Sequence, residues 1–511
     1  MYENSFANIL HFLENRKSLL RFLLKKATFY TLLYEERQQN QPFFSTFAPM
    51  KAKRDNYTFL TEGPIHQVIF TMAIPTIISM LSTSMYNLAD TYFVGSINTQ
   101  SVAAVGVSFA MMSVVQAVGF FYGHGAGNYV SRQLGAKHQE NAEKMAATGV
   151  VLSFLTGLLI AIVGHIFLTS LCTGLGSTPT ILPYTERYLG IILLGAPLMT
   201  TSLTLNNLMR FQGNTIYAMK GIMSGVLLNL ILAPLLILYF EMDITGAAIA
   251  TLISQCFGCL MLLWMTTKGQ NIRIRLRNFS PTKGYLKEIV FGGTPSLSRQ
   301  GLGSISTLML NVAAGVYGDS AIAGMSIVTR ICFFTYAVVI GLGQGFQPLC
   351  GFCYGAKLYA RVRDAFYFCI KCGTIFLCIC AIIGFVFAEN IVELFRSDPD
   401  VVSVGAMALK WQVISFPLVT TIVLTNMLMQ TIRKPVRANL VAAARSGLFF
   451  IPLIFILPHF FGLLGVEMCQ AWADVCSFSL AVPIAWSAFR DMRRMKAMER
   501  AGERAVEERE S

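Results

Sequence analysis

Apolar runs longer than the roughly 20 residues needed to span hydrocarbon follow one another along most of the chain, which makes them membrane helices rather than buried core helices. Of 511 residues, 54% are hydrophobic and only 13% charged, against roughly 25% charged in a soluble chain. About twelve spans can be drawn, near 65–94, 101–130, 142–172, 178–211, 215–240, 243–267, 284–315, 319–351, 360–389, 398–431, 435–459 and 463–487. The runs also repeat. Pro75 opens "PTIISMLSTSMYNLAD" and Pro295, 220 residues on, opens "PSLSRQGLGSISTLMLN". "YVSRQLGAK" ending at Lys137 returns as "PLCGFCYGAK" ending at Lys357. "FQGNTIYAMKGIMSGVLLNLILAPLLI" reads against "MQTIRKPVRANLVAAARSGLFFIPLIF", which sets Gln212 beside Gln430 and Pro234 beside Pro452. Two similar lobes about a central interface are a common way to build an alternating-access transporter.

The net charge of +13 is a topology signal, because the cations are confined to alternate connecting segments. One set holds Lys51, Lys53 and Arg54; Arg132 and Lys137; Lys268, Arg273, Arg275 and Arg277; Lys357, Arg361 and Arg363; Arg433, Lys434 and Arg437; and Arg490, Arg493 and Arg494. The opposite set has only Arg187 and Arg396, among acids such as Glu186, Glu241, Asp243, Asp319, Glu389, Glu393 and Asp398. The positive-inside rule then places both termini in the cytoplasm, in a multi-pass protein of the cytoplasmic membrane. Each half crosses an even number of times, so the halves share one orientation about an axis along the membrane normal. The expected fold is all-α and polytopic, with about twelve transmembrane helices in two six-helix lobes. Residues 61–267 form the first lobe, 268–283 a cytoplasmic linker, 284–490 the second lobe and 491–511 a charged cytoplasmic tail. Residues 1–60 are an N-terminal extension. The part before Met50 is either an interfacial amphipathic helix or an upstream artefact of a true start at Met50, the reading preferred here. The 12 cysteines cluster in apolar runs and indicate neither a disulfide framework nor a metal site.

Asp90 stands near the outer end of span 1, in "YNLADTYFVG". It is either a helix-end carboxylate reaching outer water or an ion ligand, since Asn229 and Ala233 on span 5 and Thr251 on span 6 fall at similar depth. Carboxylate, amide and hydroxyl oxygens suit Na⁺; a partly desolvated carboxylate can instead carry a proton. The motifs "DTYFVG", "RFQGNT", "GVLLNLILAPLLI", "TGAAIATLIS" and the repeated "YGAK" together resemble the MATE (multidrug and toxic compound extrusion) family over about residues 60–490. That resemblance implies a cation-coupled antiporter exporting small organic molecules or drugs. It assigns the first-lobe cation site to Asp90, Asn229 and Thr251. Ala233 replaces a second acid expected four residues after Asn229, which tilts coupling toward H⁺ over Na⁺.

The second lobe does not duplicate Asp90, for Leu310 stands 220 residues on. It carries Arg299, Arg330 and Arg445 about ten or more residues into apolar runs, with Asp474 at the depth of Arg445. An Arg445–Asp474 pair is expected, because an unpaired buried charge is costly. These charges are either a structural clamp or a cationic wall suited to an anionic or zwitterionic substrate. Met80, Tyr86, Met199 and Met309, with Arg299, are candidate cavity residues, since methionine repacks around varied apolar shapes. Gln212 and Gln430 are candidate gate residues at repeat-equivalent span ends. Pro75, Pro197, Pro234 and Pro417 mark bends. "GHGAGNYV" on span 2 reads as small-residue helix packing, and His165 as a packing histidine. The expected partners are a small-molecule substrate and the bilayer, with no nucleic acid, no metal and no cofactor beyond the coupling ion, in a monomer. A flippase for a lipid-linked or polysaccharide precursor is the alternative function. A membrane-embedded enzyme is disfavoured by the lack of a nucleophile constellation or a metal cluster.

Overall fold

The computed structural model describes residues 55–510 apart from Ser96, without the side chains of residues 87–92, 99 and 499–510. The N-terminal extension, including Met50, lies outside the described residues. Twelve long helical segments make up the fold among those described: α1 (Ile65–Gly95), α2 (Thr99–Gly135), α3 (Gln139–Ile166), α4 (Leu182–Leu194 and Ala196–Phe211), α5 (Thr215–Tyr239), α6 (Asp243–Thr266), α7 (Lys283–Gly315), α8 (Asp319–Gly355), α9 (Tyr359–Val386), α10 (Pro399–Thr431), α11 (Pro435–Phe461) and α12 (Leu463–Glu510). Ten are long and apolar enough to cross a membrane, and α4 joins them if its bent halves count as one span. The remaining segment, α7, is 33 residues long and is made less apolar by Arg299, Gln300 and its serines and glycines. Residues 491–510, the segment expected as a charged tail, continue α12 as helix.

Sequence punctuates these helices in recognisable ways. Asn98 caps α2 by accepting from the Ser101 amide at 2.7 Å, and Asp398 caps α10 by accepting from the Asp400 amide at 3.1 Å. The 49° bend in α4 falls at Gly195, just before Pro197. Pro234 precedes a π-helical turn at Leu235–Tyr239, and a second π turn, Ala444–Leu448, carries Arg445. Such turns re-aim the side chains of a helix.

The repeat is geometric as well as textual. Thr99 and Asp319, Gln139 and Tyr359, Thr215 and Pro435, and Asp243 and Leu463 each begin equivalent helices 220 residues apart. Asn206 Nδ2 donates to the Ala218 carbonyl and Asn426 Nδ2 to the Ala438 carbonyl, each across 12 residues. On that register Gln430 corresponds to Arg210, Gln212 to Ile432 and Pro452 to Leu232. The expected pairings of Gln212 with Gln430 and Pro234 with Pro452 are therefore two residues out. Matching letters misled there, because the turn itself sets the register: Gly213 at φ 84° and Arg433 at φ 63° occupy the same left-handed position. Arginine there carries a strain of about 1–3 kcal/mol that glycine avoids.

The lobes meet through half-exchanged helices. Val68, Ile69, Met72 and Ala73 of α1 pack into a second-lobe core with Phe346, Phe366 and Leu428. Reciprocally, Ile289 of α7 packs into a first-lobe core with Ala126, Met145 and Leu205. Both contacts lie toward the Lys/Arg-rich end of the molecule, the basic end. A Cβ on Gly125 would sit 2.4 Å from the Ile289 carbonyl oxygen, and one on Gly345 would sit 2.7 Å from the Ala73 backbone. Toward the opposite, acid-bearing end, Gly106 on α2 and Gly301 and Gly303 on α7 meet no described atom within 4 Å. The lobes are in contact along their basic halves, and these three glycines nearer the other end have open space around them.

Candidate functional site

Three polar groups sit within this apolar frame. In the first lobe, Thr251 Oγ1 accepts from Asn229 Nδ2 at 3.3 Å and lies 3.3 Å from the Tyr86 hydroxyl. Asn229 and Thr251 are both buried. Asp90 lies on α1, four residues beyond Tyr86, but its side chain is outside the described residues. Ala233 is buried in an apolar cluster with Val94, Met112, Ile237 and Ala247. A methyl group thus fills the place where the family pattern has a second acid.

In the second lobe, Arg445 Nε donates to Asp474 Oδ1 at 2.7 Å, with Asp474 fully buried. Its carboxylate also accepts from Ser415 Oγ at 2.9 Å and from Gln470 Nε2 at 3.0 Å. The Arg445 guanidinium lies 4.3 Å from the centre of the Tyr336 ring, an added cation–π contact. Polar neighbours of this kind are what makes a buried ion pair tolerable. The equivalent first-lobe positions are Gly225 and Ser254, so the pair belongs to one lobe only. Arg330, expected within the apolar interior, is instead exposed on α8 and forms no ion pair with another described residue. Its position in an apolar run did not reveal which face of the helix it occupies.

The third group crosses between the lobes. Arg210, buried on α4, donates to Asn207 of its own helix and to Gln344 on α8. Arg299 on α7 donates to Asn426 Oδ1 at 3.1 Å. Gln430 donates to the Gly292 carbonyl at 2.6 Å and to Ser296 Oγ at 2.8 Å, tying α10 to α7 within the second lobe. Gln212 instead accepts from the Ile272 amide at 2.7 Å, which pins the linker between the lobes. Among the candidate cavity side chains, Met80, Tyr86, Met199 and Met309 are all half-buried, and Met309 packs against the second-lobe core. The glycines of "GHGAGNYV" pack tightly: a Cβ on Gly123 would meet Asn207, and one on Gly127 would meet Phe211. His165 is exposed, with its ring nitrogen 2.8 Å from the Ala161 carbonyl.

A seal that sequence reasoning missed closes the basic end. Glu288 on α7 bonds Arg132 of α2 at 2.8 Å and Arg433, just after α10, at 2.5 Å. Arg132 also donates to the Thr431 carbonyl at 2.7 Å, and Thr431 to Asn128 at 2.8 Å. Arg361 on α9 donates to the Leu60 and Gly63 carbonyls. Glu288 stands at the start of span 7, where a helix-end acid is unremarkable by letter alone. Arg433 keeps its strained backbone at the position from which its side chain reaches Glu288. Glu288→Gln should weaken the sealed arrangement by about 1.5–3 kcal/mol, the worth of charged hydrogen bonds. The check is the maleimide labelling rate of Cys353, buried at the seam, in a variant keeping it as sole cysteine. Labelling should rise about tenfold or more.

Two six-helix lobes sharing one orientation, joined along half-exchanged helices, define a multi-pass membrane transporter of the parallel-repeat class. The MatE family model matches residues 75–235 and 295–456, and the chain belongs to that family. A multidrug export protein, MepA, of Staphylococcus haemolyticus is 28% identical over 438 residues, covering 85% of this chain and 96% of the relative. The Staphylococcus aureus MepA (strain MSSA476) is 27% identical over 417 residues, covering 81% and 92%. The fold matches a solved structure described as the outward-facing conformation of a multidrug resistance MATE family transporter. That match has a TM-score of 0.81 and 24% identity, covering 87% of this chain and 100% of the other. It also matches a transporter of the MOP superfamily from Pyrococcus furiosus, with the same TM-score, identity and coverage. That protein is described as having a binding pocket of reverse polarity that suggests a different function.

Proposed function

We propose that this transporter exports small organic molecules across the cytoplasmic membrane by alternating access, coupled to inward movement of H⁺ or Na⁺. The observation that carries this reading is the asymmetry of the seam. The Arg132–Glu288 ion pair and close backbone contacts hold the lobes together at the basic end, whereas Gly106 on α2 and Gly301 and Gly303 on α7 have open space around them toward the acid-bearing end. The positive-inside rule assigns the basic end and both termini to the cytoplasm, so the less tightly joined end faces outward. The MepA relatives, named as multidrug export proteins, support an exported and chemically varied substrate.

The coupling residues are Asp90, Asn229 and Thr251. With Ala233 in place of a second acid, the group carries one formal charge, which favours a proton over Na⁺. Ion and substrate must favour different states, since a ligand with equal affinity for both shifts nothing. Beyond the coupling ion no metal or organic cofactor is needed for this cycle, and one copy of the chain suffices for it. Asp90→Asn should abolish efflux driven by an imposed pH gradient in cells lacking other pumps, while leaving membrane expression intact. Undiminished efflux would remove Asp90 from coupling. Adding external Na⁺ at fixed pH should leave the wild-type rate unchanged; acceleration would assign the cycle to Na⁺.

A further inference from the structure

The seam between the lobes carries more positive charge than it neutralises. Arg210 on α4 and Arg299 on α7 come from opposite lobes, and their described partners are neutral amides: Asn207 and Gln344 for the first, Asn426 for the second. Neither forms an ion pair with a described carboxylate. By contrast, Arg445, Arg132 and Arg433 each have one. An uncompensated guanidinium inside a bilayer protein is costly, and such groups mark functional sites rather than packing.

Other groups in the same place lack partners. His124 on α2 is completely buried. Its Nδ1 lies 3.1 Å from the Phe120 carbonyl, and its Nε2 has no hydrogen-bond partner. Arg210 Nε is likewise buried and unpartnered. Packing brings the same elements together: a Cβ on Gly123 would strike Asn207, which holds Arg210, and one on Gly292 would lie 3.4 Å from the His124 carbonyl. Ser296 and Arg299 follow Gly292 along α7.

We propose that Arg210 and Arg299, with the unpartnered His124 on the adjoining α2, form a binding site for the oxyanion of an amphiphilic substrate, a carboxylate or phosphate bridging the two lobes. The proposal rests on the export reading and narrows its substrate class. Guanidiniums are suited to such groups because their planar forks bond oxyanions in pairs. Because one arginine comes from each lobe, the ligand ties the lobes together in this arrangement. Separation of the lobes at the basic end would dismantle the site. The oxyanion can belong to a free organic anion or to a lipid-linked phosphate, and the test separates the two.

The experiment uses the full chain in nanodiscs of neutral phosphatidylcholine, with carboxyfluorescein anisotropy as the anionic readout and rhodamine 6G as the cationic control. Arg299→Gln should weaken carboxyfluorescein binding at least tenfold, and Arg299→Lys less than Gln, while rhodamine 6G binding stays the same or tightens. Arg299 is half-buried and is the safer variant; Arg210→Lys repeats the measurement should Arg210→Gln disturb the seam. Inorganic pyrophosphate displacing the dye points to a free anion, and displacement by farnesyl diphosphate alone to a lipid-linked one; either supports the site. Unchanged anionic binding in folded Arg299→Gln, or loss of rhodamine 6G binding in parallel, overturns it. If the wild type exports rhodamine 6G under a pH gradient while the anion test fails, only the oxyanion site falls. If no dye is exported by the wild type, the export reading itself falls.

Discussion

Asp474→Ala should destabilise the protein by about 3–5 kcal/mol, since it leaves the Arg445 guanidinium inside the lobe without its counter-charge. The lower part of that range is expected, because the arginine side chain keeps 22% exposure while Asp474 has none. Ser415, Gln470 and Gln412 would lose their common acceptor as well. The readouts are monodisperse yield and apparent Tm in detergent. Exchanging the two charges is a poor rescue, since Ser415 and the glutamines are arranged as donors around a carboxylate. Replacing both, as Arg445→Met with Asp474→Leu, is the sharper test. Apolar substitution of a whole buried pair is often neutral or better, so the double variant should exceed Asp474→Ala in Tm. A double variant no better than the worse single would show that the pair does not act as a charge-compensated unit.

Gly125→Val should abolish export while leaving the lobes folded. The added Cβ would lie 2.4 Å from the Ile289 carbonyl oxygen, with the Ile289 Cα at 2.9 Å. Both are backbone atoms of α7, which no rotamer change can clear. The sealed arrangement is then blocked sterically, whereas the internal packing of each lobe is hardly touched. Export should fall below a tenth of wild type with normal membrane expression. Gly301→Ala is the matched control, since a Cβ there meets no described atom within 4 Å. Equal loss in both variants would mean that glycine substitution harms α2 and α7 generally, without a role for the seal.

Most of the fold was legible because lipid leaves each span so few chemical options. Apolar runs placed all twelve spans, the one near 284–315 included. The apolar signal is weakest in α7, where Arg299 and the small residues dilute it. Arg445 and Asp474 were legible as partners because each interrupts an apolar run at the same depth. The uncharged residues that complete the network, Ser415, Gln412 and Gln470, were not, for such residues are scattered through every span. Arg210 escaped notice because it stands next to the last residue of its span, where arginine is ordinary. Only the 220-residue register, fixed by the left-handed turn at Gly213 and Arg433, shows it to be the counterpart of Gln430. Glu288 was hidden for the same reason. Its role depends on Arg132 and Arg433, both distant in sequence, and Arg132 reaches it only where the lobes cross.

The central claim is that the two lobes pivot about this seam, closing one end as the other opens. Double electron–electron resonance tests it with one spin-label pair at the basic end, on exposed Gln139 and Arg363, and another at the acid-bearing end, on exposed Met85 and Leu308. None of the 12 native cysteines is exposed, so labels can be directed to these sites. Comparing wild type with Glu288→Gln, the account predicts that the Gln139–Arg363 distance lengthens while the Met85–Leu308 distance shortens. Distances that stay fixed at both ends, or that lengthen together, would contradict it.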